Sequence, residues 1–273
     1  MKDVEVGGVL FGLKQPLVLI AGPCVIEDVG LVRETAAEIK RITAELDMPF
    51  VFKSSYLKDN RSKPDGYMGP GFREGLRILA KIREDIDVPV LSDVHCREEV
   101  ELAGMYLDCL QIPAYLSQQT RLIMTAAATR KPLNIKKAQF IDPHDMRNAI
   151  LKAEAGGCKD ILLTERGSCF GYRTLVNDFR SLKIMADLDY PVVYDVTHSI
   201  RIYGHSSHAP EGGQPEFIPL LARAGVAAGV QGIFIETHPE PSKAMCDASS
   251  MLPLSHLKDL LMQLLAIHEI VIS

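Results

Sequence analysis

The sequence predicts an α/β fold, a (β/α)₈ TIM barrel, from the alternation of its segments and from its length. Short apolar runs typical of buried parallel strands alternate with amphipathic helical segments at intervals of roughly 20 to 35 residues. The chain has 273 residues, close to the roughly 250 that one such barrel needs. Eight runs are predicted to be its strands: residues 17–24, 49–55, 88–94, 109–114, 133–138, 161–165, 192–198 and 232–238.

The segments between the runs complete the predicted barrel. Apolar residues recur there with helical spacing, as in residues 31–46, 71–83 and 144–155, and residues 254–270 are predicted to form the last helix. No proline- or serine-rich linker interrupts the pattern, so residues 1–273 are expected to form a single catalytic domain. An open doubly wound sheet is the alternative, but the glycine-rich first turn that usually marks it is missing.

The residues before the first predicted strand are expected to form a short β-hairpin. Gly7 and Gly8 suit its turn, because two-residue hairpin turns need backbone conformations that glycine adopts without strain. The hairpin, within residues 1–14, would close the bottom of the barrel, at the end opposite to the strand C-termini.

Composition and charge restrict the partners of the protein. A formal net charge of −5 argues against broad binding to nucleic acids or to anionic membranes. No apolar run approaches the roughly 18 residues of a membrane span, and the N-terminus lacks the pattern of a secretory signal. The six cysteines are scattered, which favours a reducing compartment, so a cytoplasmic enzyme is expected.

Polar residues occupy the C-terminal ends of most predicted strands, where (β/α)₈ enzymes build their active sites. Because alternate strand residues face opposite sides, Lys136 is expected to face the barrel interior and Lys137 the surrounding shell. Converging cations in an acidic protein indicate a small, multiply charged anionic substrate. The alternative is a structural ion network with Asp93, Glu165 and Asp195. The cations at or after the strand ends are Lys53, Lys58, Lys136, Lys137 and Arg166.

Four residues with metal-ligand chemistry are predicted to meet where strands 7, 8 and 1 adjoin. Cys24 follows the first strand and His198 the seventh, while Glu236 lies on the eighth and Asp247 in the loop beyond it. A thiolate, an imidazole and two carboxylates suit a divalent metal ion such as Zn²⁺, Fe²⁺ or Mn²⁺. Each residue alone also has an ordinary explanation, because a single cysteine is usually a small buried apolar group.

Motifs along the chain are similar to those of one enzyme family, in the same order and over nearly the whole length. They include IAGPCVIE (20–27), FKSS (52–55), KDNRS (58–62), QIPAYL (111–116), NIKKAQF (134–140), LTERG (163–167), DVTHS (195–199) and ETHPEP (236–241). With these motifs the sequence resembles the 3-deoxy-D-manno-octulosonate 8-phosphate synthases. The resemblance implies condensation of phosphoenolpyruvate with D-arabinose 5-phosphate on a (β/α)₈ barrel, in lipopolysaccharide biosynthesis.

The same resemblance implies roles for individual residues. The expected catalytic residues are Lys53, Lys58, Lys136, Arg166 and His198. Phosphoenolpyruvate would be bound by Lys53, Ser55, Lys58, Gln111, Ala114, Lys136 and Arg166. Arabinose 5-phosphate would be bound by Asn60, Arg61, Ser62, Asp93 and His95, with Arg61 and Ser62 acting across a subunit interface of a homotetramer. The implied metal ligands are Cys24, His198, Glu236 and Asp247, and Cys24 with Asp247 indicates the metal-dependent branch of the family.

The chain departs from the family pattern in the half of the site that would bind the aldose phosphate. Asp59 replaces the usual alanine and Lys63 a serine, while Met68 and residues 117–119 lack arginines that are common at those places. These changes bear on the identity of the aldose phosphate rather than on the reaction class. Three alternatives are the sister reaction with erythrose 4-phosphate, a metal-dependent hydrolase that uses the same ligands, and a non-catalytic sensor of sugar phosphates.

Overall fold

The structure, a computed structural model, describes residues 1–60, 65–169 and 173–272. Within these ranges eight parallel strands form a closed barrel, which confirms the predicted (β/α)₈ fold. The ring closes because the last barrel strand pairs with both the first and the seventh. In chain order the strands are β1 (Val4–Val6), β2 (Val9–Phe11), β3 (Val18–Gly22), β4 (Phe50–Lys53), β5 (Val90–Asp93), β6 (Cys109–Ile112), β7 (Leu133–Lys136), β8 (Ile161–Glu165), β9 (Val192–Asp195), β10 (Gly232–His238) and β11 (Leu252–Pro253).

Helices follow the barrel strands and surround them. The predicted helical segments agree with the observed helices to within three residues at each end. No helix in the described part of the chain is long and apolar enough to cross a membrane. The helices are α1 (Val29–Glu45), α2 (Phe72–Ile86), α3 (Arg97–Tyr106), α4 (Thr120–Ala128), α5 (Met146–Ala155), α6 (Arg180–Ala186), α7 (Val196–Ser199), α8 (Ile218–Ala227) and α9 (Leu257–Ile272).

Side-chain alternation along the strands separates two apolar layers. In β3, Leu19 and Ala21 belong to the layer between barrel and helices, whereas Val18 and Ile20 belong to the layer inside the barrel. The inner layer fills the lower part of the barrel with apolar side chains. The polar strand ends lie above this floor, so the fold presents them at the barrel mouth.

The N-terminal hairpin closes the bottom of the barrel, as predicted. Strands β1 and β2 pair in antiparallel register around Gly7 and Gly8, whose φ angles are both positive. Val4, Val6 and Phe11 are fully buried and belong to the same apolar cluster as the inward-facing residues of the barrel strands. The hairpin therefore completes the core from below and leaves the mouth open.

The seventh predicted strand is shorter than the sequence indicated. Strand β9 ends at Asp195, and the residues that follow form the helical turn α7 rather than an extension of the strand. The Asp195 carboxylate accepts a hydrogen bond from the backbone N–H of His198 at 3.0 Å, which stabilises the first turn of this helix. The predicted run 192–198 therefore extends three residues beyond the observed strand, because the capping interaction turns the chain after Asp195, and His198 follows the strand as predicted.

Candidate active site

The strand ends enclose a cavity of about 150 Å³ at the barrel mouth. Ser55, which was also predicted to bind phosphoenolpyruvate, donates a hydrogen bond to Asp93 at 2.6 Å. The loop after β4 and the short turn after β6 form part of the cavity wall. The predicted site residues that line the cavity are Lys53, Lys58, Asn60, Asp93, His95, Gln111, Ala114, Lys136, Arg166 and His198.

Two predicted residues of the aldose-phosphate site, Arg61 and Ser62, lie outside the described residues. Their expected role across a subunit interface therefore stays a prediction. Their neighbour Asn60 lies at the edge of the described region and lines the cavity.

Lys53 lines the cavity and lies close to a residue of the predicted metal site, Glu236, and to one of the predicted aldose site, Asp93. Its ammonium group lies 3.2 Å from Glu236 Oε1 and 3.7 Å from Asp93 Oδ2, and it donates a hydrogen bond to the backbone oxygen of Cys24. Burial alone would lower the pKa of Lys53, but the charges of Glu236 and Asp93 outweigh it and raise that pKa. Lys53 therefore stays charged in a water-poor environment, where its field is strong.

Glycine at position 22 allows the ends of the first two barrel strands, β3 and β4, to lie close together. Gly22 has a φ of +154°, and a Cβ atom added there would lie 2.1 Å from the backbone oxygen of Lys53. Only a residue without a side chain fits between the ends of β3 and β4. The close approach brings the segment that carries Cys24 beside Lys53.

Lys136 and Lys137 separate as strand alternation predicts. Lys136 lines the cavity, lies 2.6 Å from Asp195 Oδ2, and places its ammonium group 3.9 Å from the centre of the Phe234 ring. Burial lowers the pKa of Lys136 although the Asp195 carboxylate opposes the shift. Lys137 points away and lies 3.3 Å from Glu165 Oε1. Both contacts belong to the ion network considered as an alternative, so the site and that network share the same residues.

Arg166 differs from the lysines because it forms no ion pair with a carboxylate in the described chain. Its guanidinium donates a hydrogen bond to Tyr203 Oη at 2.8 Å. The side-chain amide of Gln139 donates to the same phenol oxygen. Tyr203 therefore accepts hydrogen bonds at a position where an anion's oxygen could bind Arg166. Sequence reasoning missed Tyr203, since it lies in the long loop after β9 and not at a strand end.

A ladder of side-chain hydrogen bonds fixes the side of the cavity that Asp93 and Gln111 line. Gln111 donates to Asp93 at 2.6 Å, Asn134 donates to Gln111 at 2.8 Å, and Thr164 donates to Asn134 at 2.6 Å. These residues come from four consecutive strands, so the ladder runs along the inner wall of the barrel. Asn134 and Thr164 were not predicted as site residues, because neutral side chains on buried strands carry no distinctive sequence signal.

The four predicted metal ligands fall at the edge of the cavity into two groups that share Asp247: His198, Glu236 and Asp247 form one, and Cys24, Cys246 and Asp247 the other. Cys24 Sγ lies 3.2 Å from Asp247 Oδ2, and His198 Nε2 lies 3.7 Å from Glu236 Oε1 and 3.8 Å from Asp247 Oδ2. Ligands held about 2.0–2.3 Å from one tetrahedral ion are separated by roughly 3.3–3.8 Å. Glu236 Oε2 is buried without a hydrogen-bond partner in the described structure. The donor types, their spacing and this orphaned oxygen fit a divalent metal ion.

The surroundings of Asp247 contain three groups that the predicted ligand set did not include. Lys58 Nζ lies 2.9 Å from Asp247 Oδ2, and Arg201 pairs with Asp247 Oδ1. Cys246 places its sulfur 3.1 Å from that of Cys24. Burial raises the pKa of the Cys24 thiol, with the neighbouring Cys246 and Asp247 adding to the shift. The charge of Asp247 is therefore balanced by Lys58 and Arg201.

A closed (β/α)₈ barrel that gathers buried cations and a Cys–His–carboxylate cluster at its mouth has the architecture of a barrel enzyme that acts on small molecules. Comparison with known proteins identifies the family. The sequence profile described as the DAHP synthetase I family matches residues 2–272, and the chain belongs to this family.

Three relatives about 50% identical to the chain are each named 2-dehydro-3-deoxyphosphooctonate aldolase. The chain is 48% identical to the protein of that name from Methylibium petroleiphilum over 266 residues, which cover 95% of this chain and 93% of the relative. The Bordetella pertussis protein is 51% identical over 265 residues, again 95% and 93% of the two chains. The Pelobacter propionicus protein is 48% identical over 270 residues, or 99% of each chain. The predicted resemblance to the octulosonate phosphate synthases is thereby confirmed.

Proposed function

We propose that this enzyme condenses phosphoenolpyruvate with D-arabinose 5-phosphate to give 3-deoxy-D-manno-octulosonate 8-phosphate and inorganic phosphate. The observation that carries the proposal is the cavity at the barrel mouth, into which Lys53, Lys58, Lys136 and Arg166 converge. Two phosphorylated substrates repel each other, and cations fixed in a cavity stabilise them side by side. The names of the relatives support the same reaction.

Phosphoenolpyruvate is assigned to the inner part of this cavity. Arg166 and Lys136 would hold its phosphate, because Arg166 has no carboxylate partner in the described chain and a guanidinium suits phosphate oxygens. Lys53 and Lys58 would hold its carboxylate. Gln111 and Ala114 form the wall beside it.

The aldose is assigned to the side lined by Asp93 and His95. In the proposed reaction, C3 of phosphoenolpyruvate attacks the aldehyde carbon and forms the new carbon–carbon bond. Water adds at C2, and the resulting hemiketal phosphate loses inorganic phosphate by cleavage of its C–O bond. The buried lysines stabilise the oxygen anions that the substrates carry throughout.

We further propose that the chain belongs to the metal-dependent branch of the family. Cys24, His198, Glu236 and Asp247 would hold Zn²⁺, Fe²⁺ or Mn²⁺, since the set combines sulfur, nitrogen and oxygen donors. The ion would supply Lewis acidity next to the aldehyde or to the attacking water. The His198 ring is oriented by Asp195, whose carboxylate lies 2.8 Å from its Nδ1.

Two broader expectations from the sequence accompany this proposal. A homotetramer would cover some of the large apolar side chains that the described chain exposes, among them Phe140 and Leu151. A cytoplasmic location agrees with the six cysteines, which are all free of disulfide bonds. Sedimentation analysis of the purified protein checks the first expectation.

Phosphate release measured with phosphoenolpyruvate plus each aldose phosphate tests the proposed reaction. We expect turnover with arabinose 5-phosphate, and at most weak turnover with erythrose 4-phosphate. A preference for erythrose 4-phosphate would instead assign the sister reaction of the family. Phosphate release from phosphoenolpyruvate without any aldose would indicate a hydrolase.

A further inference from the structure

Two buried cysteines beside the cavity lie in direct contact, although they are 222 positions apart in the chain. The sulfur of Cys246 lies 3.1 Å from that of Cys24, and both side chains are fully buried. Cys24 Sγ also lies 3.2 Å from Asp247 Oδ2. These three residues bring together two sulfurs and one oxygen, while His198 and Glu236 form a second group of donors around the same Asp247.

The backbone at Asp247 directs two neighbouring side chains toward Cys24. In an extended chain, adjacent side chains point to opposite sides, so Cys246 and Asp247 would not both reach one sulfur atom. Asp247 instead has a φ of +47°, in the left-handed region that few residues other than glycine adopt. The backbone N–H of Met245 donates a hydrogen bond to Glu27 Oε1 at 2.8 Å, which holds this loop against the segment that follows Cys24. Such a conformation is typical of ligand sites.

The carboxylates around these sulfurs are already paired with cations. Three carboxylates face three positive charges, and the six charges cancel. The pairs are Lys58 and Arg201 with Asp247, and Lys53 with Glu236 and Asp93. A divalent ion that binds in this buried place therefore needs further negative charge from its ligands.

The two cysteines can supply that charge. A cysteine binds a metal ion as the thiolate, so each sulfur ligand contributes one negative charge. Cys24 alone offsets one of the two positive charges of the ion. A second thiolate from Cys246 offsets the other and restores the balance that the six paired groups have without the ion.

We propose that Cys246 is a further metal ligand, which with Cys24 and Asp247 forms a two-sulfur site for a thiophilic divalent ion such as Zn²⁺ or Cd²⁺. The inference rests on the proposed metal dependence. Two sulfurs bound to one tetrahedral ion are about 3.8 Å apart, so the pair separates by roughly 0.7 Å from its contact distance. Side-chain rotations within one rotamer are large enough for this. Thiolates favour Zn²⁺ over Mn²⁺, so the second sulfur makes the protein selective among metal ions.

Replacement of Cys246 by serine tests the second sulfur, because the hydroxyl keeps the size of the thiol but is a poor ligand for soft ions. In Cys246→Ser we expect the affinity for Zn²⁺ and for Cd²⁺ to fall at least about tenfold, since even the loss of a residue that only orients a ligand costs about 10–100-fold. The affinity for Mn²⁺ should change less than about threefold. Equilibrium dialysis of the whole protein against each ion, without oxygen, measures these affinities.

Cobalt(II) reports the number of sulfur ligands directly. The charge-transfer absorption from thiolate to Co²⁺ increases with each bound thiolate, so Cys246→Ser should show about half the intensity of the wild type. Cys158→Ser is the matched control. Its thiol is also buried, but it lies before β8 at the bottom of the barrel and contacts backbone oxygens. This control should keep the spectrum and the affinities of the wild type.

The outcomes separate this proposal from the proposed reaction. Equal Zn²⁺ affinities of wild type and Cys246→Ser, or equal charge-transfer intensities, would overturn the two-sulfur site and leave the reaction unaffected, with Cys24 as a single sulfur ligand. Tight Zn²⁺ binding that depends on Cys246, in a protein that releases no phosphate from phosphoenolpyruvate with either aldose phosphate, would support the site and refute the reaction. Failure of the wild type to bind any of the ions would refute the two-sulfur site and the metal dependence together.

Discussion

Lys136 and Lys137 are adjacent in sequence, yet each is buried against a different carboxylate. Lys136 faces the cavity beside Asp195, whereas Lys137 pairs with Glu165 outside it. The direction of the side chain along β7 thus decides whether a lysine lines the cavity or pairs with a carboxylate outside it.

Replacement of each lysine by methionine is therefore predicted to affect a different property, which is substrate affinity for Lys136 and the free energy of unfolding for Lys137. Lys136→Met should weaken phosphoenolpyruvate binding by about tenfold or more, which corresponds to about 1.4 kcal/mol. Lys137→Met should leave Glu165 buried without its cation and lower the free energy of unfolding by roughly 3–5 kcal/mol. Substrate titration and urea unfolding of both variants measure these effects. Unchanged phosphoenolpyruvate affinity in Lys136→Met would remove that lysine from the site.

At the residue scale, the sequence predicted the cavity residues that lie at strand ends but not those that lie in long loops. Lys53, Lys136 and Arg166 could be predicted, because a charge at the end of an apolar strand is costly unless it has a partner or a ligand. Arg201 and Tyr203 could not, since they belong to a long loop whose path depends on contacts with Asp247 and Arg166. No periodicity in the sequence encodes such a path.

At the scale of elements, the hairpin of β1 and β2 contributes to stability far from the site. Phe11 is fully buried against the inward-facing residues of the barrel, whereas its neighbour Leu10 is 38% exposed. Strand alternation places these two apolar side chains on opposite faces of the same short strand.

Substitution of each by alanine should show that the buried face of the strand contributes more to the free energy of unfolding than the exposed face. Phe11→Ala should lower the free energy of unfolding by roughly 3–5 kcal/mol, because it leaves a cavity under the barrel. Leu10→Ala should change it by less than about 1 kcal/mol. Urea denaturation measures both values, and KM for phosphoenolpyruvate should stay the same in each variant. A shift in KM for Phe11→Ala would mean that the barrel bottom and mouth are coupled.

The elements themselves were predictable, although several predicted strands extend one to three residues beyond the observed ones, most of all at the end of β9. Eight apolar runs gave the eight barrel strands, since strands buried on both faces must be apolar along their length. The largest difference is at the end of β9, where Asp195 caps α7 and carries His198 on a helical turn. An extended run and a capped turn have similar composition there, so only the local hydrogen bond distinguishes them.

At the scale of the whole molecule, the cluster of predicted metal ligands connects the first and last barrel strands. Cys24 follows β3, and Asp247 follows β10, which pairs with β3. An ion bound by both residues would therefore hold the barrel closed as well as serve the reaction. The family motifs were needed to predict this cluster, because no short ligand spacing in the sequence marks it.

Metal binding is accordingly predicted to stabilise the fold. A divalent ion at about one hundred times its Kd should raise the free energy of unfolding by about 2.7 kcal/mol. A chelator should reverse the effect and abolish turnover. Cys24→Asn should lose most of the stabilisation, whereas Cys169→Ala, at an exposed cysteine, should keep it. Thermal unfolding with and without Mn²⁺ or Zn²⁺ measures this, and full turnover by a metal-free preparation would contradict the metal's role.

The separation of Cys24 and Asp247 by 223 positions also has a consequence for synthesis of the protein. A nascent chain that has left the ribosome only as far as β10 already carries most of the lysines of the site, but it lacks the residue that joins the first strand to the last. A prematurely terminated product would therefore lack part of the ion-binding cluster however well its remaining strands paired. If these residues bind an ion, the ability to capture it arises only after Asp247 has been made, late in translation.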